Sequence, residues 1–145
     1  MEKMTRRTAR ENAFLAAFAA SFGNAEPNEI VKLQGEDGEH PVDAFGQQLL
    51  DAYFENSSYV NQLIEEHLKG WTLERISRVS LVVLRLAISE ILYGKEHLPS
   101  VAINEAVEIA KKFGGEGDYQ FVNGLLGSVV RDLDIQEAPE STDGE

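Results

Sequence analysis

The chain has 145 residues, 43 % of them hydrophobic and 26 % charged, with no cysteine and a formal net charge of −12. Such a balance belongs to one globular domain with room for a core, and the missing cysteine excludes disulfides, thiolate nucleophiles and Cys-based zinc sites. The acidic total argues against avid nonspecific nucleic-acid binding, yet the charge is segregated, at +2 over residues 1–13, −9 over 24–66, +2 over 69–112 and −7 over 113–145.

Helical periodicity dominates from the first residues. A first helix is expected over Thr5–Phe22. Phe14, Phe18 and Phe22 share one face and Ala9, Ala13, Ala16 and Ala20 the opposite one, so this helix belongs between other helices. Gly23–Pro41 is rich in turn formers and acids and reads as a loop with one short helix near Glu26–Leu33. Helices follow over Val42–Asn56 and Ser57–Lys69, the second stopped by Gly70. Trp71–Ile76 reads as a single turn capped by Thr72. Residues 78–93 are apolar nearly all round, the pattern of a buried central helix. Arg85 and Glu90 interrupt it, and the stretch is too short and too charged to span a bilayer. Arg85 on such a helix requires a partner, a carboxylate or helix-end carbonyls. Pro99 and Ser100 open the next helix, which carries a Glu108–Lys112 pair at i,i+4 and ends at Gly114. Asp118 is expected to cap the last helix, which runs to about Leu133. The acidic segment after it has no aromatic residue and is expected to be disordered. The expected organisation is therefore one all-α domain over residues 1–133 and an acidic tail over 134–145.

Enzyme signatures are missing. His40, His67 and His97 share no ligand spacing, and neither a nucleophile elbow nor a phosphate-binding loop is present. The reading is of a non-enzyme without cofactor or metal. The basic N-terminus carries more information. Arg6, Arg7 and Arg10 stand at the start of the first helix, where the positive end of the macrodipole disfavours cations. Arginine there suggests an external use, since its planar fork suits phosphate and stacks on bases. Lys111 and Lys112 fit the dipole at their helix C-terminus and extend the basic surface. On the last helix Val122, Leu125, Leu126, Val129 and Leu133 form one stripe, with Phe121 at its margin and Gly124 and Gly127 on the far side. Phe121 is either a core edge or a stacking platform on a closely approached surface.

The run "WTLERISRVSLVVLRLAISEIL", followed by "VAINEAVEIAKKFG" and "FVNGLL", resembles the transcription antitermination factor NusB family in order and spacing. The opening "RRTARENAFLAAFAASF" is similar to that family's arginine-rich first helix. The resemblance implies an all-helical fold of about seven helices in two small bundles packed across each other. It implies binding to boxA RNA of nascent ribosomal RNA transcripts together with NusE, a small-subunit ribosomal protein, within an RNA polymerase antitermination complex in the cytoplasm, away from membranes. Homodimerisation is compatible with it. The RNA-binding residues it implies are Arg6, Arg7, Arg10 and Phe121, with Lys111 and Lys112 beside them. Asn104 and Glu105 of the "INEA" motif read as helix caps. Three positions depart from the family pattern. Ser80 stands where an acidic residue is common, Gly117–Asp118 where an acidic–Ser pair is common, and Gln120 where a basic residue is common. The alternatives are a helical protein-binding adaptor without RNA binding, and an RNA-binding module acting with a separate ribosomal RNA methyltransferase.

Overall fold

The fold follows from which helix faces are apolar, and a computed structural model describes it for residues 4–23, 29, 38–70, 72–96 and 98–137. Among these residues there are six α-helices and one single-turn 3-10 helix. They are α1 (Arg6–Ala20), α2 (Ala44–Glu55), α3 (Ser57–Glu66), the 3-10 turn (Leu73–Arg75), α4 (Arg78–Tyr93), α5 (Pro99–Phe113) and α6 (Glu116–Asp132). The fold is all-helical, as expected. The expected short helix over 26–33, apart from residue 29, and Trp71, His97 and residues 138–145 lie outside the described residues.

Side-chain caps start three of the helices. Thr5 accepts a hydrogen bond from the Thr8 N–H at 3.1 Å, Asp43 from the Gly46 N–H at 2.8 Å, and Ser77 from the Ser80 N–H at 3.0 Å. Each satisfies a backbone donor that the helix itself cannot. Pro99 opens α5 in the first turn, where its missing N–H costs nothing. The turn after α3 uses positive φ at Lys69 (45°) and Gly70 (91°), which explains why a glycine ends this helix.

Two local expectations are corrected. Thr72 precedes the 3-10 turn but makes no side-chain cap. Asp118 is not the residue before α6. It lies inside the first turn, and its carboxylate reaches back to accept the Gly115 N–H at 2.7 Å. The acid is still at the positive end of the dipole, where it stabilises the helix.

Helix α4 is the hub. It packs against α2, α3, α5 and α6 and also touches α1. On one side lie α1, α2 and α3, and on the other the closely packed α5–α6 pair. Val82, Leu84, Ile88 and Ser89 of α4 are almost wholly buried. One continuous apolar core joins both sides, from Phe14 and Leu50 through Ile64 and Leu84 to Leu126. The alanine face of α1 is used as expected, whereas the helix ends at Ala20 and leaves Phe22 63 % exposed. Ala9, Ala13, Ala16 and Ala20 are buried, and α1 lies close to α2. A Cβ at Gly46 would come within 3.4 Å of the Ala9 carbonyl oxygen, so a larger residue there would push α2 away. On the other face, Phe14 stacks on Phe18 (5.4 Å between centroids) and on Phe113 of α5 (5.2 Å).

Among the described residues, Arg85 meets neither a carboxylate nor a helix end. Its Nε donates to Asn61 Oδ1 at 3.0 Å and its guanidinium lies 5.7 Å from the Tyr53 ring centre. A half-buried arginine is thus held by a neutral amide and an aromatic face. The expected tail begins in contact with the domain. Ile135 packs against the core, and Glu137 accepts a hydrogen bond from the Ser100 N–H at 2.7 Å.

Candidate functional site

The three N-terminal arginines share a helix end but not an environment. Arg7 is 60 % exposed, and its Nε and Nη2 grip the two oxygens of Glu105 at 2.9 Å each. The hydrogen bond from Arg7 holds the Glu105 carboxyl below the ordinary carboxylate range. Arg6 is also exposed. It meets Glu96 at 3.2 Å, and its guanidinium carbon sits 4.1 Å from the centre of the Phe45 ring. Arg10 is buried, with a side chain only 7 % exposed. It donates to Glu90 through Nη2 at 2.6 Å and Nε at 2.9 Å. Burial works against its charge, but Glu90 more than offsets this and its pKa is raised.

This answers the dipole question raised by the sequence. Cations at the start of α1 are tolerated because α4, α5 and the loop between them supply a carboxylate to each. Glu105 lies in the middle of α5 and pairs with Arg7, so it is not a helix cap. Asn104 is exposed. Lys112 also departs from expectation. It reaches Glu11 of α1 at 2.8 Å, while Lys111 takes Glu108 at 3.5 Å and lies 5.2 Å from the Tyr119 ring centre. The basic surface is therefore a chain of pairs across α1 and α5, with Arg6, Arg7, Lys111 and Lys112 about half exposed. Phosphate oxygens could replace the carboxylates at each of these four. Arg10 faces inward and is committed to Glu90.

Phe121 is elsewhere. It is half-buried on α6 and lines a cavity of about 190 Å³ with Arg75, Ile76, Ser77, Ser80, Gly117 and Asp118. Ser80 belongs to the start of α4 and Glu90, which holds Arg10, to its end. Ten residues of α-helix separate them by about 15 Å. Arg6, Arg7, Lys111 and Lys112 lie on α1 and α5, whereas Phe121 lies on α6 beside a cavity that none of the four lines. Phe121 packs against the core and also lines the cavity. Gly117 and Gly124 have nothing within 4 Å of a Cβ position, so the surface beside Phe121 is open.

Asp118 organises that cavity. Its Oδ1 accepts hydrogen bonds from Ser77 Oγ at 2.5 Å and Ser80 Oγ at 2.8 Å, and its Oδ2 accepts the Gly115 N–H. Burial would raise its pKa, but these donors bring it below the ordinary value. No local pattern signals the contacts within this cluster, nor Phe45 or the acidic partners of the arginines, because each joins residues far apart in the chain. Among the described residues no group of three or more histidine and acidic side chains is placed to hold a metal ion, and no helix is long and apolar enough to cross a membrane.

Residues 7–131 match the model of the NusB family. The chain is 38 % identical over 131 residues to the transcription antitermination protein NusB of Bacillus velezensis, covering 90 % of this chain and 99 % of that one. The chain belongs to the NusB family. It is 40 % identical to the NusB protein of Bacillus thuringiensis, covering 87 % of this chain and 97 % of that one. Its fold is similar to that of T. maritima NusB, with a TM-score of 0.81, 32 % identity, and coverage of 90 % of this chain and 94 % of that one. It is also similar to a NusB chain solved with NusE and double-stranded RNA, with a TM-score of 0.75, 25 % identity, and coverage of 88 % and 96 %. Ser80 and Asp118, two positions at which the chain departs from the expected pattern, touch through a hydrogen bond between α4 and α6.

Proposed function

We propose that this chain is a transcription antitermination factor that binds boxA RNA of nascent ribosomal RNA transcripts together with NusE, as part of an antitermination complex on RNA polymerase. It acts by binding and not by catalysis. The observation that carries this reading is the likeness of nearly the whole chain to a NusB protein solved with NusE and double-stranded RNA. The exposed guanidiniums of Arg6 and Arg7 and the ammonium groups of Lys111 and Lys112 supply the electrostatic contacts, and Phe121 supplies a stacking face. Each cation already has a carboxylate partner, so RNA binding is an exchange of one anion for another. With a net charge of −12, the chain alone attracts RNA weakly at physiological salt. A basic ribosomal protein docked on it strengthens binding by offsetting that field.

Arg7→Ala tests the reading. A boxA oligoribonucleotide is titrated against wild type and variant across a range of salt. The variant is expected to bind more weakly, with the slope of log affinity against log salt smaller by about 0.7 for the lost phosphate contact. Equal affinity for boxA and a scrambled RNA, with no effect of Arg7→Ala, would favour a protein-binding adaptor in which the arginines play no part in RNA binding.

A further inference from the structure

Beside Arg6 lies a groove whose other lining residues are not among the expected contacts. It is open, with a volume of about 580 Å³, and is lined by Arg6, Phe45, Gln47, Gln48, Asp51 and Lys95. It continues into a cleft of about 190 Å³ that reaches Glu90 and Ala102. The open part falls within the roughly 300–1,000 Å³ typical of sites for small organic groups. Its chemistry is specific. One wall is the Phe45 ring with the Arg6 guanidinium over it. Gln48 presents a half-buried amide for which no hydrogen bond is found among the described residues, whereas Gln47 is engaged with Asp51 at 2.9 Å. Lys95 is an exposed cation at the rim without an ion-pair partner among the described residues. Of the acidic groups, Glu96 is paired with Arg6 and Glu90 with Arg10, and the Asp51 carboxylate accepts the Gln47 amide.

An amide and a cation without partners among the described residues, beside a guanidinium–aromatic stack, match the parts of a single unpaired nucleotide. We propose that this groove receives one base of the bound RNA, which extends the Phe45–Arg6 stack, pairs its edge with the Gln48 amide and places its phosphate at Lys95. An amide offers a donor and an acceptor together, as a base edge requires, and guanidinium planes and aromatic rings are the usual platforms for splayed-out RNA bases. A peptide ligand is less well matched, because the groove offers a polar edge and one cation and no deep apolar pocket. The inference rests on the RNA-binding reading and makes the site selective at one nucleotide position.

The test uses the chain together with NusE and a set of boxA oligoribonucleotides, each with one abasic position. With wild type, one position is expected to cost about tenfold in affinity through lost stacking and edge contacts. Gln48→Leu should weaken the intact RNA by a similar factor and abolish the extra penalty at that position alone. Lys95→Ala, a surface change that leaves the core untouched, should reduce the salt slope by about 0.7. An abasic profile identical in wild type and Gln48→Leu, with Lys95→Ala silent, overturns the groove proposal while leaving RNA binding intact. Loss of NusE binding in Gln48→Leu, with RNA binding unchanged, overturns it too and marks the groove as a protein interface. If wild type binds none of the RNAs, both this proposal and the functional reading fall.

Discussion

Arg10→Ala separates a structural arginine from a ligand-binding one. The macrodipole alone predicts that removing a cation from the start of α1 stabilises the helix by a few tenths to about 1 kcal/mol. The observed setting reverses the sign. Arg10 and Glu90 have side chains 7 % and 14 % exposed, and three N–H···O contacts of 2.6–3.2 Å join them. Phe14, Leu49, Val83, Leu86 and Ala87 surround the pair. Truncating Arg10 leaves the Glu90 carboxylate without its partner in apolar surroundings, and breaking such a buried pair costs about 3–5 kcal/mol. That is a large part of the roughly 5–15 kcal/mol that holds a domain folded, and it should lower Tm by on the order of 10 °C. Replacing both partners, as Arg10→Met with Glu90→Leu, should recover most of the loss, because an apolar pair of similar volume needs no counter-charge. Urea unfolding followed by circular dichroism measures each variant. An Arg10→Ala protein that unfolds at the wild-type midpoint yet has lost RNA affinity would refute this reasoning and return Arg10 to the RNA surface.

Other consequences follow from neighbouring pairs. Glu105→Gln should release Arg7 and remove a negative charge, so RNA affinity by fluorescence anisotropy should rise several-fold, with a fall pointing to Glu105 as the positioner of Arg7. The Asp118 carboxyl titrates below its unfolded value, so it contributes stability above about pH 4 that is lost as pH falls through its folded pKa. Asp118→Asn should therefore flatten the acid limb of a Tm-against-pH profile while lowering Tm near neutrality. Gly124→Ala meets no atom within 4 Å and should raise stability by roughly 0.5–1 kcal/mol, while a loss of RNA affinity in the same variant would locate the RNA against this face of α6. Phe121→Ala should weaken RNA binding by about 1–3 kcal/mol at low and high salt alike, since stacking releases no counterions. Unchanged RNA binding with a lower unfolding midpoint would make Phe121 a core edge.

The helices were legible because each is a local pattern. Pro99 announces the start of α5, Gly70 and Gly114 announce helix ends, and the apolar run of α4 announces its central place. The family resemblance was legible for the same reason, since "INEA" and "FVNG" are contiguous. What stayed hidden was who meets whom. Arg6, Arg7 and Arg10 look equivalent in sequence, at successive places on one helix end. Only the packing of α4 and α5 against α1 makes Arg10 internal and leaves Arg7 outside, through Glu90 and Glu105, 80 and 98 residues further along. Lys112 was expected to pair within its own helix with Glu108 and instead crosses to Glu11. Ser80 and Asp118, 38 residues apart in the chain, meet in a 2.8 Å hydrogen bond that neither position announces. Charges pair across whichever helices the core brings together, and no local period encodes that choice.

The most direct test of the central claim is the affinity of this chain for a boxA oligoribonucleotide at physiological salt, measured with and without NusE from the same organism. Weak binding by the chain alone, rising at least tenfold with NusE and lost with a scrambled RNA, is the predicted result. The same affinity in the presence and absence of NusE, or no discrimination between boxA and scrambled RNA, would contradict it.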